Sequence, residues 1–418
     1  MTNFSLFYQF FNKKRFILFA FLNSLLMTAF TFIWLASPFW SGDEIHLIQY
    51  TSAFKRLLFT KEMPSPDRFV FVDIAWEKDL IDKIDNDFPI GKQSIVNRQS
   101  LYEFFRELDE NNVKPSFVIC DVSFVEASDN TTDSLFCGVL KKFPNLLVAA
   151  EKGDNGIILP ICKDVPYGIT HYETIEETKF IKFPLVVDSV LSLPLKMYMQ
   201  LHKKSYEHGR FFNYLGGKPI ISNPIIDLRI RNYHLQKGEN LQADSSNTIG
   251  LAKAADDYVK YQKMYMSDAL VTFESVVDAE EIQKLFNNKI IVIGDFEDRD
   301  IKETIYGMTP GALILLNVFL SVEAGDNTIS IWFLLFLVIG YWLISLKWFI
   351  KTDIVESFLT RFFRTKSSFL FGLVSYLGLL ILMSVISYYL FSIHLTILLL
   401  ALYLNLAGNI ISRRVHGV

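Results

Sequence analysis

FVICDV, at residues 117–122, is an apolar run that carries an acid, Asp121, near its end. Similar short runs occur at 69–74 (FVFVDI), 146–150 (LLVAA) and 290–294 (IIVIG). Such runs are typical of strands that are buried on both faces of a sheet. Amphipathic patterns predict helices over residues 100–111, 133–142, 278–286 and 310–322. The alternation predicts an α/β domain, with a mainly parallel sheet and helices on both faces.

The stretch from 203 to 277 has weaker patterns. Apolar and charged residues alternate over 226–231, which predicts a half-exposed strand. Residues 253–269 carry tyrosines about one helical turn apart and are predicted to be a helix, whereas 238–247 reads as a polar loop.

Long apolar segments flank this domain in the sequence. Residues 16–36 contain no charged side chain and would reach about 31 Å as a helix, enough for a bilayer core. A second apolar run begins at residue 329. Residues 369–411 contain no Asp, Glu, Lys or Arg, and one helix of that length would reach about 65 Å. We therefore expect a hairpin with its turn near Ser392 to His394. The predicted transmembrane helices are 16–36, 329–350, 369–391 and 393–411.

The basic residues beside these segments predict the orientation. They are Lys13, Lys14, Arg15, Lys347, Lys351, Arg361, Arg364, Lys366, Arg413 and Arg414. With four crossings all of them lie on one side, which the positive-inside rule makes the cytoplasm. The N-terminus (1–15), the loop 351–368 and the tail (412–418) are then cytoplasmic, in a plasma or inner membrane. The domain at 37–328 is predicted to be periplasmic or otherwise extracytoplasmic. Trp34 stands where a signal peptide would need a small residue, so the first helix is expected to be an uncleaved anchor.

Ordered landmarks in this domain carry a resemblance to a known family. They are Asp73 after the first strand, Phe88-Pro89 with Arg98 following, FVICDVSF at 117–124, FPLVVDSVLSLPLKM at 183–197, NNKIIVIGD at 287–295 and MTPGALILLN at 308–317. Together they resemble the second type of CHASE domain, an extracytoplasmic sensory module of bacterial receptors, over about residues 45–325. One N-terminal and three C-terminal membrane helices also fit that family's layout. The resemblance implies a sensory role. Since no output domain is fused to these helices, the signal is expected to pass to a separate partner.

Four acids are the candidate ligand-binding residues: Asp73, Asp121, Glu151 and Asp295. Each lies at or just past the end of a predicted strand. Ligands of parallel α/β sheets bind outside the carboxyl ends of the strands. If the strands are neighbours, the acids converge, favour a cation or an amine-bearing ligand, and raise one another's pKa. In the alternative interpretation, each acid only caps a helix or ends a strand.

Motifs for catalysis, cofactors and metals are absent from the sequence. It has no phosphate-binding loop, no dinucleotide fingerprint and no His-Glu-x-x-His, and its seven histidines lack metal-ligand spacing. The acids at 295–300 do not form an EF-hand loop, because Asp300 occupies the position that needs glycine, so a solvated loop is expected. No catalytic residue, metal site or cofactor is predicted.

Three cysteines, Cys120, Cys137 and Cys162, are expected to be buried thiols. One disulfide is compatible with the count, but the sequence does not name its pair.

These patterns predict a membrane-anchored sensory or ligand-binding protein that signals through its helices. Its expected partners are the lipid bilayer, a protein in the membrane or cytoplasm, and a small extracytoplasmic ligand. The alternative is a non-catalytic structural or scaffold subunit of a cell-envelope membrane complex. A hydrolase is disfavoured because no nucleophile–base pair is recognisable. The net charge of −4 gives no sign of the basic surface that nucleic-acid binding requires.

Overall fold

The computed structural model describes residues 2–37, 45–58, 63–85, 88–154, 156–172, 182–237, 259–276, 278–346 and 368–416. The predicted polar loop at 238–247 and nearly all of the predicted cytoplasmic loop at 351–368 lie outside these residues. The chain forms two compact units. The first comprises Met1–Ala53, Glu207–Ile225 and Asp326–Val418, and the second comprises Phe54–Tyr206 and Ile226–Gly325.

The described residues contain eleven α-helices and seventeen strands. The helices are α1 Thr2–Ala36, α2 Ile45–Leu58, α3 Arg98–Glu110, α4 Asn130–Leu140, α5 Leu193–His202, α6 Met266–Ser275, α7 Ala279–Phe286, α8 Gly311–Ala324, α9 Ile331–Leu346, α10 Ser368–Phe391 and α11 Leu398–His416. The strands are β1 Phe69–Asp73, β2 Lys78–Asp85, β3 Phe88–Val96, β4 Phe117–Ser123, β5 Leu146–Gly153, β6 Gly156–Ile158, β7 Tyr167–Ile169, β8 Val186–Val187, β9 Val190–Leu191, β10 Tyr206–Glu207, β11 Asn213–Leu215, β12 Lys218–Ile220, β13 Leu235–Lys237, β14 Tyr261–Tyr265, β15 Ile290–Gly294, β16 Ile301–Thr304 and β17 Gly307–Pro310.

A mainly parallel sheet forms the centre of the second unit, as the sequence predicted. Its strand order is β13-β14-β1-β15-β4-β5-β6, and β7 also pairs with β5. Every pair is parallel except β5 with β6. Because alternate side chains of a strand point to opposite faces, one apolar run supplies two cores. Val70 and Val118 pack with α3, α4, α6 and α7, while Phe71 and Ile119 pack with α5 and α8.

Two predictions in the weakly patterned stretch are wrong. Residues 226–231 form no strand, because the amide of Asn317 on α8 takes up their backbone hydrogen bonds. Its Oδ1 accepts from the N–H of Arg229 at 2.7 Å and of Ile230 at 2.9 Å, and its Nδ2 donates to the carbonyl of Ile230 at 2.8 Å. The predicted helix 253–269 is wrong at 261–265, which form β14 because parallel pairing with β1 and burial of Tyr261 outweigh the helical spacing. Residues 266–269 do begin a helix, α6, and 253–258 lie outside the described residues.

The first unit holds the apolar helices. Two of them, Arg15–Ala36 and Gly372–Phe391, are long and apolar enough to cross a membrane. The other two predicted spans coincide with shorter apolar helices, Ile331–Leu346 and Leu398–Ile411. Sixteen residues reach only about 24 Å. The last helix begins at residue 398, five residues later than predicted. Residues 393–397 are not helical, and they follow Ser392, whose φ is +58°. The prediction of four spans is thereby reduced to two candidates among the described residues.

Polar side chains join these helices inside the first unit. Asn23 on α1 donates to Ser345 on α9 at 2.7 Å, and the hydroxyl of Tyr403 on α11 donates to Asn23 at 2.6 Å. The hydroxyls of Thr31 and Tyr341 also lie 2.7 Å apart. Large apolar side chains meanwhile point outward: Leu18, Phe19, Leu22, Phe30, Ile33, Trp332, Ile339, Leu343, Leu382, Leu390, Leu402, Leu406 and Ile410 are exposed. The unit therefore has an apolar interior with a few buried polar contacts and an apolar exterior, whereas the exterior of a water-soluble helical bundle is mainly polar.

A disulfide joins Cys137 on α4 to Cys162, with Cα atoms 5.2 Å apart. The expectation of buried thiols is wrong for this pair and holds for Cys120 alone, which is free and buried on β4. The pairing depends on the packing of α4 beside the segment that precedes β7, which no spacing in the sequence reveals.

Candidate functional site

The four candidate acids lie on consecutive strands of the sheet. Strands β1, β15, β4 and β5 are neighbours in that order and run parallel, so their carboxyl ends share one edge. Asp73 ends β1, Asp121 lies in β4, Glu151 lies in β5 and Asp295 follows β15. The four acids have two kinds of surroundings: Asp73 is enclosed by bonding partners, and the other three line a cavity.

Asp73 is closed off by its neighbours. Its side chain is fully buried, and its Oδ2 accepts a hydrogen bond from Lys263 on β14 at 2.9 Å. Its Oδ1 accepts from the backbone N–H groups of Ala75 at 3.0 Å and Phe296 at 3.2 Å. Lys263 also pairs with Glu297, whose carboxylate accepts from the hydroxyl of Tyr265. Asp73 does not line the cavity described next, and its contacts fit the structural interpretation.

The other three acids line a cavity of about 880 Å³ at the same edge of the sheet. Residues 93–96 and Lys78, at the base of the β2–β3 hairpin, form one wall. The ends of β4 and β5 and the loop after β15 form the others, together with Gly311 and Leu315 of α8. A volume of this size is typical of sites for small organic ligands.

Asp121 and Asp300 both line this cavity, where their carboxyl groups are neighbours that influence each other's ionisation. Burial raises the pKa of Asp121 well above its usual range, and the charges of Asp300 and Glu151 raise it further, while Lys302 opposes them. Burial also raises the pKa of Asp300, against the opposing effect of Lys302, whose Nζ lies 3.2 Å from Oδ1. Because each ionised carboxyl group disfavours ionisation of the other, the pair favours the state with one proton and one negative charge.

Two glycines bring the start of α8 against this pair. The N–H of Gly311 donates to the carbonyl of Asp300 at 2.8 Å. A Cβ on Gly311 would lie 1.9 Å from Oδ2 of Asp300, and a Cβ on Gly294 would lie 2.5 Å from that of Ala312. Since a helix N-terminus stabilises negative charge, it favours the charge on Asp300 and leaves the proton on Asp121.

Asp295 organises the acidic loop that follows β15. Its side chain accepts from the backbone N–H groups of Glu297 at 3.1 Å, Asp298 at 2.8 Å and Arg299 at 3.0 Å. Burial alone would raise the pKa of Asp295, but these hydrogen bonds outweigh it and the pKa is lowered. Asp295 therefore stays ionised and shapes the loop. Within the described part of the chain, no three acidic, histidine or cysteine side chains are grouped so as to hold a metal ion.

The sequence patterns did not single out several residues of this site. Asp300 was treated only as one of a run of loop acids, and Lys302 and Tyr172 carried no signal. Tyr172 lines the cavity, where burial and then the charges of Asp300 and Asp121 raise its pKa. A usable signal was present at Pro310-Gly311, which opens an apolar helix that has no acidic residue in its first turn. Such a helix start needs an acceptor from elsewhere, and Asp300 lies against it.

Comparison with known protein families, curated proteins and solved structures finds no match for this chain. The resemblance to the second type of CHASE domain stays a prediction.

Proposed function

We propose that this chain is an integral membrane protein whose α/β unit binds a small molecule in the sheet-edge cavity, on the extracytoplasmic side, and signals to a partner protein through its apolar helices. The observation that carries the proposal is the cavity itself. It opens at the carboxyl ends of neighbouring parallel strands, where ligands of such sheets bind, and three of the four candidate acids line it.

The apolar exterior of the first unit supports the membrane assignment. Outward apolar side chains such as Phe19 and Leu402 suit lipid, and hydrogen bonds such as Asn23 to Ser345 are typical of contacts between helices in a bilayer. We extend the proposal to all four apolar helices, of which α1 and α10 have spanning length in the described residues.

Two features support the extracytoplasmic side. If all four helices cross the membrane, the basic residues beside the apolar segments lie on the other side of the membrane from the α/β unit. The disulfide between Cys137 and Cys162 fits an oxidising compartment, since such bonds are rare in the cytosol.

Chain continuity supplies a route for the signal. Helix α8 begins at Gly311 on the cavity wall, and Leu315, one turn further on, also lines the cavity. The helix ends at Ala324, and the apolar α9 begins at Ile331. A ligand that shifts α8 acts on a segment that leads within a few residues to a proposed membrane helix.

Membrane topology is tested with reporters. Alkaline phosphatase and a fluorescent protein, each fused after Val418 and separately inserted beside exposed Asp164, should give opposite results at the two positions. The proposal expects phosphatase activity only at Asp164 and fluorescence only after Val418. The reverse pattern would overturn the extracytoplasmic assignment.

Ligand binding is tested by thermal denaturation of the full chain in mild detergent against a library of small molecules. Ser94→Trp places a large side chain in the cavity wall, whereas Ser134→Trp adds the same side chain at an exposed position outside it. Compounds that stabilise the wild type and Ser134→Trp, but not Ser94→Trp, support the site. Equal stabilisation of all three proteins would rule the cavity out.

One observation favours the scaffold alternative. The β2–β3 hairpin forms a two-stranded sheet of its own, and Leu80, Phe88 and Ile90 on it are at least 58% exposed. Exposed apolar residues on a separate hairpin are typical of a protein contact. Copurification in mild detergent, comparing wild type with Leu80→Ser/Phe88→Ser, tests it. A stoichiometric partner lost only from the variant, in a protein that no library compound stabilises, would favour the scaffold function.

A further inference from the structure

Resting on the proposed ligand site, we propose that the ligand is an organic ammonium ion that takes the place of the proton held between Asp121 and Asp300. The inference depends on the charges around the cavity, on the geometry of the carboxyl pair and on the apolar part of the lining.

The cations of the cavity wall already have carboxylate neighbours. Lys302 lies 3.2 Å from Asp300, Lys152 lies 3.5 Å from Asp188, and Lys78 is paired with Asp298. The only arginine in the described lining, Arg299, lies 3.8 Å from Asp298, and the imidazole of His171 also lines the cavity. An incoming anion would therefore have to compete with these internal carboxylates.

The acids of the wall are less well balanced. Among the described residues, no Lys, Arg or His side chain lies within 4.0 Å of the carboxylates of Glu126 or Glu151. Asp121 has a carboxyl neighbour, Asp300, and adds its own negative charge once its proton leaves. A cation can gain from all of these groups without displacing a lysine, so the lining favours positive charge.

An ammonium ion can replace the proton of the Asp121–Asp300 pair. In the proposed free state, the two carboxyl groups share one proton. A bound R-NH₃⁺ donates two N–H hydrogen bonds, one to each carboxylate, and the proton leaves Asp121 for water. One positive charge enters and one leaves, so the local charge is unchanged and no covalent bond other than the O–H bond breaks. The third N–H remains available to another acceptor on the cavity wall.

The rest of the lining indicates an organic ligand rather than a metal ion. Ile74, Val122, Val125, Ile158 and Leu315 face the same cavity and suit an apolar body. The acids do not form a group of three that could hold a metal ion in the described residues. An amine needs only the two carboxyl groups, which are already in contact.

Exchange with a proton makes the affinity depend on pH. Where the free pair holds its proton, each binding event releases one proton, so Kd should rise about tenfold per unit fall in pH. Other charged or titratable groups face the pair or line the same cavity: Lys302, Glu151, Asp295, Tyr172, His171 and, on the same strand as Asp121, Cys120. Asp295 has a lowered pKa, whereas Tyr172 and Cys120 have raised ones, so none of these three changes charge near neutral pH.

Three probes of one shape test the inference: 2-phenylethylamine, neutral 2-phenylethanol and anionic phenylacetate. Isothermal titration of the full chain in mild detergent, in two buffers of different ionisation enthalpy, measures both Kd and protons released. Only the amine is expected to bind. Its binding should release close to one proton, and Kd should rise about tenfold for each unit by which the pH falls. Asp121→Asn keeps the shape of the protonated carboxyl, so it should fold, bind the amine at least tenfold more weakly and release no proton. The control Asp164→Asn alters an exposed acid outside the cavity and should behave as wild type.

Each result separates this inference from the proposed function. Binding of phenylacetate but not of the amine would overturn the ligand class and leave the cavity as the site. Amine binding without proton release, or unchanged in Asp121→Asn, would overturn the exchange. Absence of amine binding at every pH from about 5 to 9, a range that lies above the usual carboxyl pKa and covers the raised one, would overturn the inference as a whole. The library screen with Ser94→Trp then decides the proposed function by itself.

Discussion

Two aspartates at the same edge of one sheet have opposite kinds of neighbour. Asp73 shares its site with a cation, because the neighbouring strand β14 supplies Lys263 at 2.9 Å. Asp121 shares its site with another acid, because the loop after β15 supplies Asp300, whose negative charge helps to raise the pKa of Asp121. The first cluster is closed and the second opens into a cavity. The position of an acid at the end of a strand puts it at the edge of the sheet. The segments beside it determine whether its carboxylate is fully bonded within the protein or faces a cavity.

The closed cluster should lose most stability when its cation is removed. Lys263→Met leaves Asp73 buried without its partner, which is expected to lower the free energy of unfolding by about 3–5 kcal/mol. Thermal and denaturant unfolding of the full chain in detergent measure the loss. The double variant Lys263→Met/Asp73→Asn should recover much of it, because no unpaired charge remains. A loss below about 1 kcal/mol in the single variant would mean that the cluster contributes no more than a surface pair.

The open cluster should be sensitive to the space around it. Gly311→Ala puts a Cβ 1.9 Å from Asp300, so the pair must move, at an expected cost of about 1–3 kcal/mol. Gly138→Ala is the matched control, since nothing lies within 4 Å of its added Cβ on α4, and alanine in a helix should stabilise by about 0.5–1 kcal/mol. The same unfolding measurements compare the two variants. Equal effects of the two substitutions would contradict the close approach of α8 to Asp300.

The smallest effect should appear as a pH dependence. Because the folded pKa of Asp121 lies above its unfolded value, its stabilising contribution is complete at low pH and is lost as the pH rises through the folded pKa. Asp121→Asn cannot ionise, so its stability should fall less than that of wild type, by up to about 1.4 kcal/mol per pH unit in that range. Melting temperatures between the usual carboxyl pKa and about pH 9 provide the comparison. Parallel curves for the two proteins would mean that the proton is not shared.

The strands that are apolar throughout could be predicted from the sequence. A strand that is buried on both faces is a continuous apolar run, and such a run can be identified without knowing which strands pair with it. It also placed Asp121, Glu151 and Asp295 at one edge, since parallel order follows from strand–helix alternation. It could not identify Asp300 as the partner of Asp121, because that contact depends on how the loop around Asp295 folds back. Lys263 is 190 residues from Asp73 in the chain, and β14 was mistaken for a helix. The absence of a strand at 226–231 likewise could not be predicted, because it depends on the side-chain amide of one distant residue, Asn317.

The cross-link between Cys137 and Cys162 spans 25 residues that contain all of β5 and β6. In the unfolded ensemble it closes a loop whose lost chain entropy is worth about 3.5 kcal/mol. The strands inside that loop form one margin of the sheet, and margins fray before centres do. The covalent tether therefore protects the margin that carries Glu151, and reducing agents should loosen this wall of the cavity before they disturb β1 or β15.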